Sequence, residues 1–241
     1  MKNLCALVLP SFAWLMALVA GASGSWGANL PTVREEVVPA SGQRYTIAIP
    51  GGYSPGKPVP LVLALHYGGT VTPYFSKPFL VNLVEPALRK LGAIIVAPDC
   101  TAGRWTEPQA ETDVLVLLDH VRASWAIDPA RTLITGFSMG GMGTWALAAR
   151  HQELFAAALI VAGKPQEGSA EVAWRIPLYL IHSRNDEVVP LGPTAAIAKV
   201  LDDKGVKVKL VVVDGVTHYQ VPAFVPYMRA AIPWIERAWK K

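Results

Sequence analysis

The sequence is poor in cysteine, with 2 among 241 residues, at positions 5 and 100. Cys5 lies in an apolar N-terminal run expected to be removed, so the mature chain keeps Cys100 alone and forms no internal disulfide. A lone cysteine is more often a packing residue than a reactive thiol. Charge is scarce too: 17% of residues, 22 Lys+Arg against 18 Asp+Glu, net +4. No run of Lys and Arg is longer than the terminal Lys240-Lys241 pair. That speaks against the basic patch of a nucleic-acid or membrane-surface binder. The 5 histidines are scattered and no pair has ligand spacing, so no metal and no other cofactor is expected. Internal repeats, low-complexity tracts and dividing linkers are missing as well. One domain is expected.

The N-terminus carries a different signal. Lys2 precedes the apolar run "LCALVLPSFAWLMALVAGASG", which ends in small residues around Ala20-Gly21-Ala22. A short basic segment, an apolar stretch and a small-residue site read as a secretory signal peptide over 1–22. Pro10 and the small-residue ending argue against a membrane anchor. The expectation is a secreted or periplasmic protein, with 23–241 as a single domain and no stable anchor after cleavage.

Beyond the leader, "TVREEVV" and "QRYTIAIP", joined by "PASG", read as an antiparallel hairpin. Six apolar runs follow: 59–66, 93–99, 131–137, 157–163, 177–183 and 207–215. Near-continuous apolar strands are covered on both faces, which implies a parallel sheet. Helical spacing fills the intervals, in "ETDVLVLLDHVRASW", "GTWALAARH" and "TAAIAKVLDDKG". "FLVNLVEPALRKLG" is expected to kink or begin at its central proline, and prolines interrupt the C-terminal helix over 222–241. Alternating strands and helices give an α/β fold, a three-layer sandwich with a mostly parallel sheet.

In such sheets functional groups gather at the carboxyl ends of strands. The run 131–137 is followed by Ser138, 177–183 by Asp186, 207–215 by His218 and 59–66 by "HYGG". A serine hydroxyl is a weak nucleophile and needs a base, here His218. The histidine needs a carboxylate to fix its tautomer, here Asp186 in preference to its neighbour Glu187. Gly136 and Gly140 flank the serine in a strand-to-helix turn with little room for Cβ atoms. That turn sets the N–H of Met139 at a helix N-terminus as one oxyanion donor. "HYGG" supplies the other, from Gly68, with Tyr67 as a further candidate. Serine, acid, histidine is the chain order of α/β-hydrolases.

Other aromatic and imidazole groups have weaker readings. Trp105 and Tyr219 are candidates for the substrate wall or for packing. His66 is expected to support the oxyanion loop or border the substrate rather than act as base. His182 is expected at the pocket floor, and His120 and His151 in solvent.

The stretches "GFSMGGMGTWALAARHQELFAAALIVAGK", "LYLIHSRNDEVVP" and "VVVDGVTHY" resemble secreted esterases grouped with polyhydroxybutyrate depolymerases and feruloyl esterases, and with dienelactone-hydrolase-like peptidases. The resemblance runs from about residue 44 to the C-terminus. It implies the same roles for Ser138, Asp186 and His218. Dienelactone hydrolases proper use cysteine where this chain has serine. Those families carry His-Gly after the oxyanion strand, whereas here Tyr67 separates His66 from Gly68, which leaves the second donor's register open.

Only "KPQEGSAEVAWRI" separates the runs at 157–163 and 177–183, too short for a lid domain. An open cleft is expected, suited to short acyl esters or to a bulky or polymeric substrate presenting one ester bond. The function read from this is a serine carboxylic-ester hydrolase acting through an acyl-enzyme. The alternatives are a prolyl-oligopeptidase-like serine peptidase and a non-catalytic binding protein on the same fold.

Overall fold

The computed structural model describes residues 30–240. The leader expected over 1–22 lies outside them. A single eight-stranded sheet runs through the molecule in the order β1-β2-β4-β3-β5-β6-β7-β8. Its strands are β1 (Thr32–Val37), β2 (Arg44–Ile49), β3 (Val59–Leu65), β4 (Ile94–Pro98), β5 (Ile127–Phe137), β6 (Ala157–Val161), β7 (Leu178–Ser183) and β8 (Val208–Val213). Only β2 runs against its neighbours; β4 through β8 pair in parallel with β3 among them. The hairpin expected from "PASG" is present, with Gly42 at φ +72°, a left-handed conformation that L side chains rarely adopt.

Helices cover both faces: α1 (Ser76–Phe79), α2 (Glu85–Leu88), α3 (Pro108–Ser124), α4 (Met139–Arg150), α5 (Leu191–Asp203), α6 (Val225–Ala230) and α7 (Ile232–Ala238). The inner strands alternate their side chains between two cores. On β3, Val62 and Ala64 join Phe79, Leu83, Met228 and Ile235 on one side. Leu61, Leu63 and Leu65 join Val114, Leu117, Trp145 and Leu201 on the other. Both faces of the strand are thus dry, which is why its sequence reads as continuous apolar residues. The result is an α/β-hydrolase fold, and the β6–β7 connection carries no lid helix.

Two details add to the expectation. The expected break at the proline takes a particular form: a π-turn over Leu80–Val84 comes first, and α2 then begins at Glu85 with Pro86 in its first turn. Proline has no N–H to donate, and a wider turn accommodates the missing bond. Strand β5 begins at Ile127, upstream of the apolar run and across Pro129, with a register shift opposite Val59–Leu61 absorbing the irregularity.

Candidate active site

Strand β5 ends at Phe137, α4 starts at Met139, and Ser138 alone makes the turn between them. Its backbone has φ 57° and ψ −117°. A non-glycine residue there costs about 1–3 kcal/mol and persists only where its surroundings enforce it. The enforcement is visible. Ser138 N–H donates to Val161 O at the end of β6 (3.0 Å), and Ser138 O accepts from Met142 N–H (2.9 Å). A Cβ on Gly136 would overlap the Gly140 carbonyl, and one on Gly140 would overlap the Leu65 carbonyl. Glycine at both positions is therefore required for strand and helix to approach this closely.

The turn lifts the Ser138 hydroxyl to His218. His218 Nε2 lies 2.8 Å from Ser138 Oγ, and His218 Nδ1 lies 2.7 Å from Asp186 Oδ2. With a carboxylate on Nδ1 the ring carries its proton there, leaving Nε2 to accept from the serine. Asp186 has its side chain fully shielded, and its Oδ1 accepts the N–H groups of Val188 (3.0 Å) and Val189 (2.6 Å). Charge-assisted bonds of this kind stabilise a buried carboxylate as the anion. Glu187 does not compete for the ring. Its Oε2 instead accepts the backbone N–H of His218 at 3.0 Å.

A cavity of about 590 Å³ opens over Ser138. Tyr67, Gly68, Met139, Met142, Val188 and Tyr219 are among its lining residues, and no Lys, Arg, Asp or Glu among the described residues lines it. Tyr219 is 75% exposed and Val188 is 45% exposed, forming an apolar rim. Tyr67 is half-buried, its ring edge-on to Phe75, Phe79 and Phe137.

The two remaining substrate-wall candidates are elsewhere. Trp105 is buried, packs on Gly143 and donates its indole N–H to His66 O (2.9 Å), so it belongs to the core and not to the cavity wall. Glycine at 143 makes room for that indole. His66 is likewise buried: Nδ1–H donates to Tyr67 O (2.6 Å) and Nε2 accepts from Cys100 N–H (3.0 Å). Burial lowers its proton affinity, which keeps it neutral with both nitrogens engaged. It holds the Tyr67 carbonyl and the start of the "HYGG" loop and does not line the cavity.

His182, expected at the pocket floor, is fully buried and does not line the cavity. His151 bonds Glu111 (2.6 Å) and His120 lies edge-on to Tyr45, so both are partly covered. Cys100 is buried, and burial pushes its thiol up to about 11, which makes it inert packing. No group of metal-ligating side chains occurs among the described residues.

Asp99 went unnoticed in the sequence although it ends the run over β4. Its carboxylate accepts Tyr74 N–H (2.7 Å) and Ser76 N–H (3.0 Å), pinning the loop that follows "HYGG". The strand-end rule that located Ser138 points to Asp99 equally well.

The profile of the dienelactone hydrolase family matches residues 96–232, more than half of the chain. The chain belongs to the dienelactone hydrolase family. Feruloyl esterase C of Emericella nidulans is 29% identical over 184 residues, covering 75% of this chain and 68% of that one. Feruloyl esterase D of Neurospora crassa is 26% identical over 216 residues, covering 80% and 70%. A thermostable esterase of known structure superposes with a TM-score of 0.70 at 25% identity; the match covers 87% of this chain and 63% of that esterase. A ferulic acid esterase with a TM-score of 0.69 and 17% identity shares the fold. These kinships place the chain among carboxylic-ester hydrolases.

Proposed function

We propose that this family member hydrolyses uncharged carboxylic esters through Ser138, His218 and Asp186. The observation that carries the reading is the 2.8 Å contact between Ser138 Oγ and His218 Nε2, made from a strained turn. Ser138 Oγ attacks the carbonyl carbon while His218 Nε2 takes its proton. The alcohol leaves with that proton. Water then attacks the acyl-enzyme by the same route, and the proton returns to Ser138. Asp186 holds the imidazole in its tautomer and stabilises the imidazolium.

Two N–H groups serve the developing oxyanion. Met139 N–H stands at the start of the twelve-residue α4, where negative charge is favoured. The second is Gly68 N–H rather than one from Tyr67. A planar trans peptide points its N–H opposite its C=O, and Tyr67 O is turned toward His66. Gly68 borders the cavity beside Met139, whose side chain a Cβ at position 68 would meet at 3.8 Å.

The lining sets the substrate. Apolar and aromatic walls without a cation favour a neutral acyl group, and a substrate carboxylate would lose hydration without gaining a partner. The names of the feruloyl esterase relatives agree with a neutral aromatic acyl group. Absence of a lid between β6 and β7 suits short or bulky esters over long flexible chains. The leader expected over 1–22 and the ester substrates together suit a secreted or periplasmic enzyme. The test is hydrolysis of p-nitrophenyl acetate and methyl ferulate by the wild type beside Ser138→Ala. Turnover by the wild type and its loss in the variant is expected; turnover retained in Ser138→Ala overturns the reading.

A further inference from the structure

Asp186 is held from two sides, and only one belongs to the chemistry proposed above. His182, the penultimate residue of β7, is fully buried four residues before it. Its Nε2 lies 2.7 Å from Val189 O and 3.6 Å from Asp186 Oδ2. Val189 in turn gives its N–H to Asp186 Oδ1 at 2.6 Å. A closed circuit results: His182 grips the carbonyl of the residue whose amide grips the carboxylate.

The circuit fixes the imidazole's tautomer. Two acceptors, Val189 O and Asp186 Oδ2, face Nε2, so the proton must sit there. Nδ1 then presents a lone pair, and it has no hydrogen-bond partner among the described residues. A buried ring with an unsatisfied nitrogen carries a desolvation cost that an aliphatic residue of similar size would avoid. Packing alone does not account for a histidine there.

We infer that His182 is a positioning residue for Asp186: as a neutral Nε2–H imidazole it clamps the 186–189 turn, so that Oδ1 is occupied by the turn's own amides and Oδ2 stays aimed at His218. This rests on the triad reading of Ser138, His218 and Asp186. Its chemistry requires neutrality, and burial lowers the proton affinity of His182. Two titratable groups act on the ring from the elements around it. Asp186, on the turn after β7, raises its proton affinity; His218, on the loop after β8, lowers it. Its registered neighbour on β8 is Val212, which is uncharged.

Without the clamp the Val189 carbonyl is released, the turn relaxes, and Asp186 Oδ2 no longer faces His218 Nδ1 squarely. The imidazolium formed during attack is then less stabilised, and His218 becomes a weaker base. Misplacement on the order of 1 Å in such a constellation costs about a hundredfold in rate.

The experiment compares wild type, His182→Leu, His182→Gln and Ser138→Ala on a neutral p-nitrophenyl ester, well below each variant's thermal transition. Leucine removes the donor at similar volume; glutamine offers an amide N–H near the Nε2 position. For His182→Leu the expected result is a kcat reduced by roughly tenfold to a hundredfold, a KM within about twofold, and an acid limb of the kcat/KM profile moved to lower pH. His182→Gln should recover most of the rate and restore the acid limb. An unchanged kcat and acid limb in His182→Leu would overturn the inference, even if its melting temperature falls. If His182→Leu does not fold, the glutamine variant decides: a rate and acid limb near those of wild type support the clamp, and a kcat lowered about a hundredfold or more with the donor restored overturns it. Ser138→Ala keeps the two claims apart, since activity surviving there defeats the triad reading whatever His182 does.

Discussion

Glu187 accepts the backbone N–H of His218 at 3.0 Å, while Asp186, one residue earlier, takes the ring of the same histidine at 2.7 Å. Adjacent carboxylates thus divide the labour between main chain and side chain. Substitution separates them. Asp186→Asn presents an amide where an anion is needed, and its kcat should fall about ten-thousandfold. Glu187→Gln keeps an acceptor for the same N–H, and its kcat should stay within about tenfold of wild type, since one neutral hydrogen bond replaces a charge-assisted one. Steady-state kinetics at neutral pH read both. Equal losses in the two variants would mean that the acid is misassigned.

Two aromatic residues with similar sequence credentials should behave in opposite ways. Trp105→Ala leaves a cavity against Gly143 and His66 and should cost about 3–5 kcal/mol of stability, seen as a lower midpoint in denaturant unfolding. Tyr219→Ala should leave the midpoint unchanged and raise KM for an aromatic ester, because the ring is exposed at the rim. A Trp105 variant of normal stability but raised KM would reverse the two roles.

The difference between those residues shows where sequence is legible. Strands β3 to β8 stood out because burial on both faces forces unbroken apolar runs, and the strand-end rule led to Ser138, Asp186, His218 and Gly68. Tyr219 and Trp105 looked alike, since an aromatic in a loop gives no sign of which way it faces. The roles of Glu187 and His182 depend on contacts made across 31 and 7 residues of chain, which no local period encodes. The π-turn before Pro86 was similarly hidden: a missing N–H predicts an irregularity but not its form.

Alkaline pH should loosen the fold. Burial pushes the Cys100 thiol from 9.0 to about 11 and the Tyr45 hydroxyl from 10.0 to about 12. Above pH 9 the unfolded chain releases these protons while the folded chain keeps them, so the unfolded state binds fewer protons and stability falls as pH rises. The stability contributed by these two groups is complete below their unfolded values and declines from pH 9 to 12. Chemical denaturation across that range should show the decline, and Tyr45→Phe should flatten its upper part. A midpoint independent of pH there would refute the burial argument. Native Cys100 should also resist iodoacetamide at mildly alkaline pH and react once the chain is unfolded.

Acyl selectivity follows from an apolar cavity without a lid. On a p-nitrophenyl ester series, kcat/KM should be higher for short chains than for long ones. Esters whose acyl group bears a free carboxylate should be poorer substrates than their neutral counterparts, because no lysine or arginine among the described residues lines the cavity. A strong preference for long chains, or for anionic acyl groups, would contradict this account of the lining.

Covalent capture of Ser138 is the most direct measurement. The purified chain is treated with a fluorophosphonate, digested, and the modified peptide sequenced by mass spectrometry. Nucleophilic Ser138 should carry a single phosphonyl group, formed with loss of fluoride and quenched by denaturing the chain first; Ser138→Ala should take up none. A chain that stays unmodified, or a label found on another residue and undiminished in Ser138→Ala, would contradict Ser138 as the nucleophile.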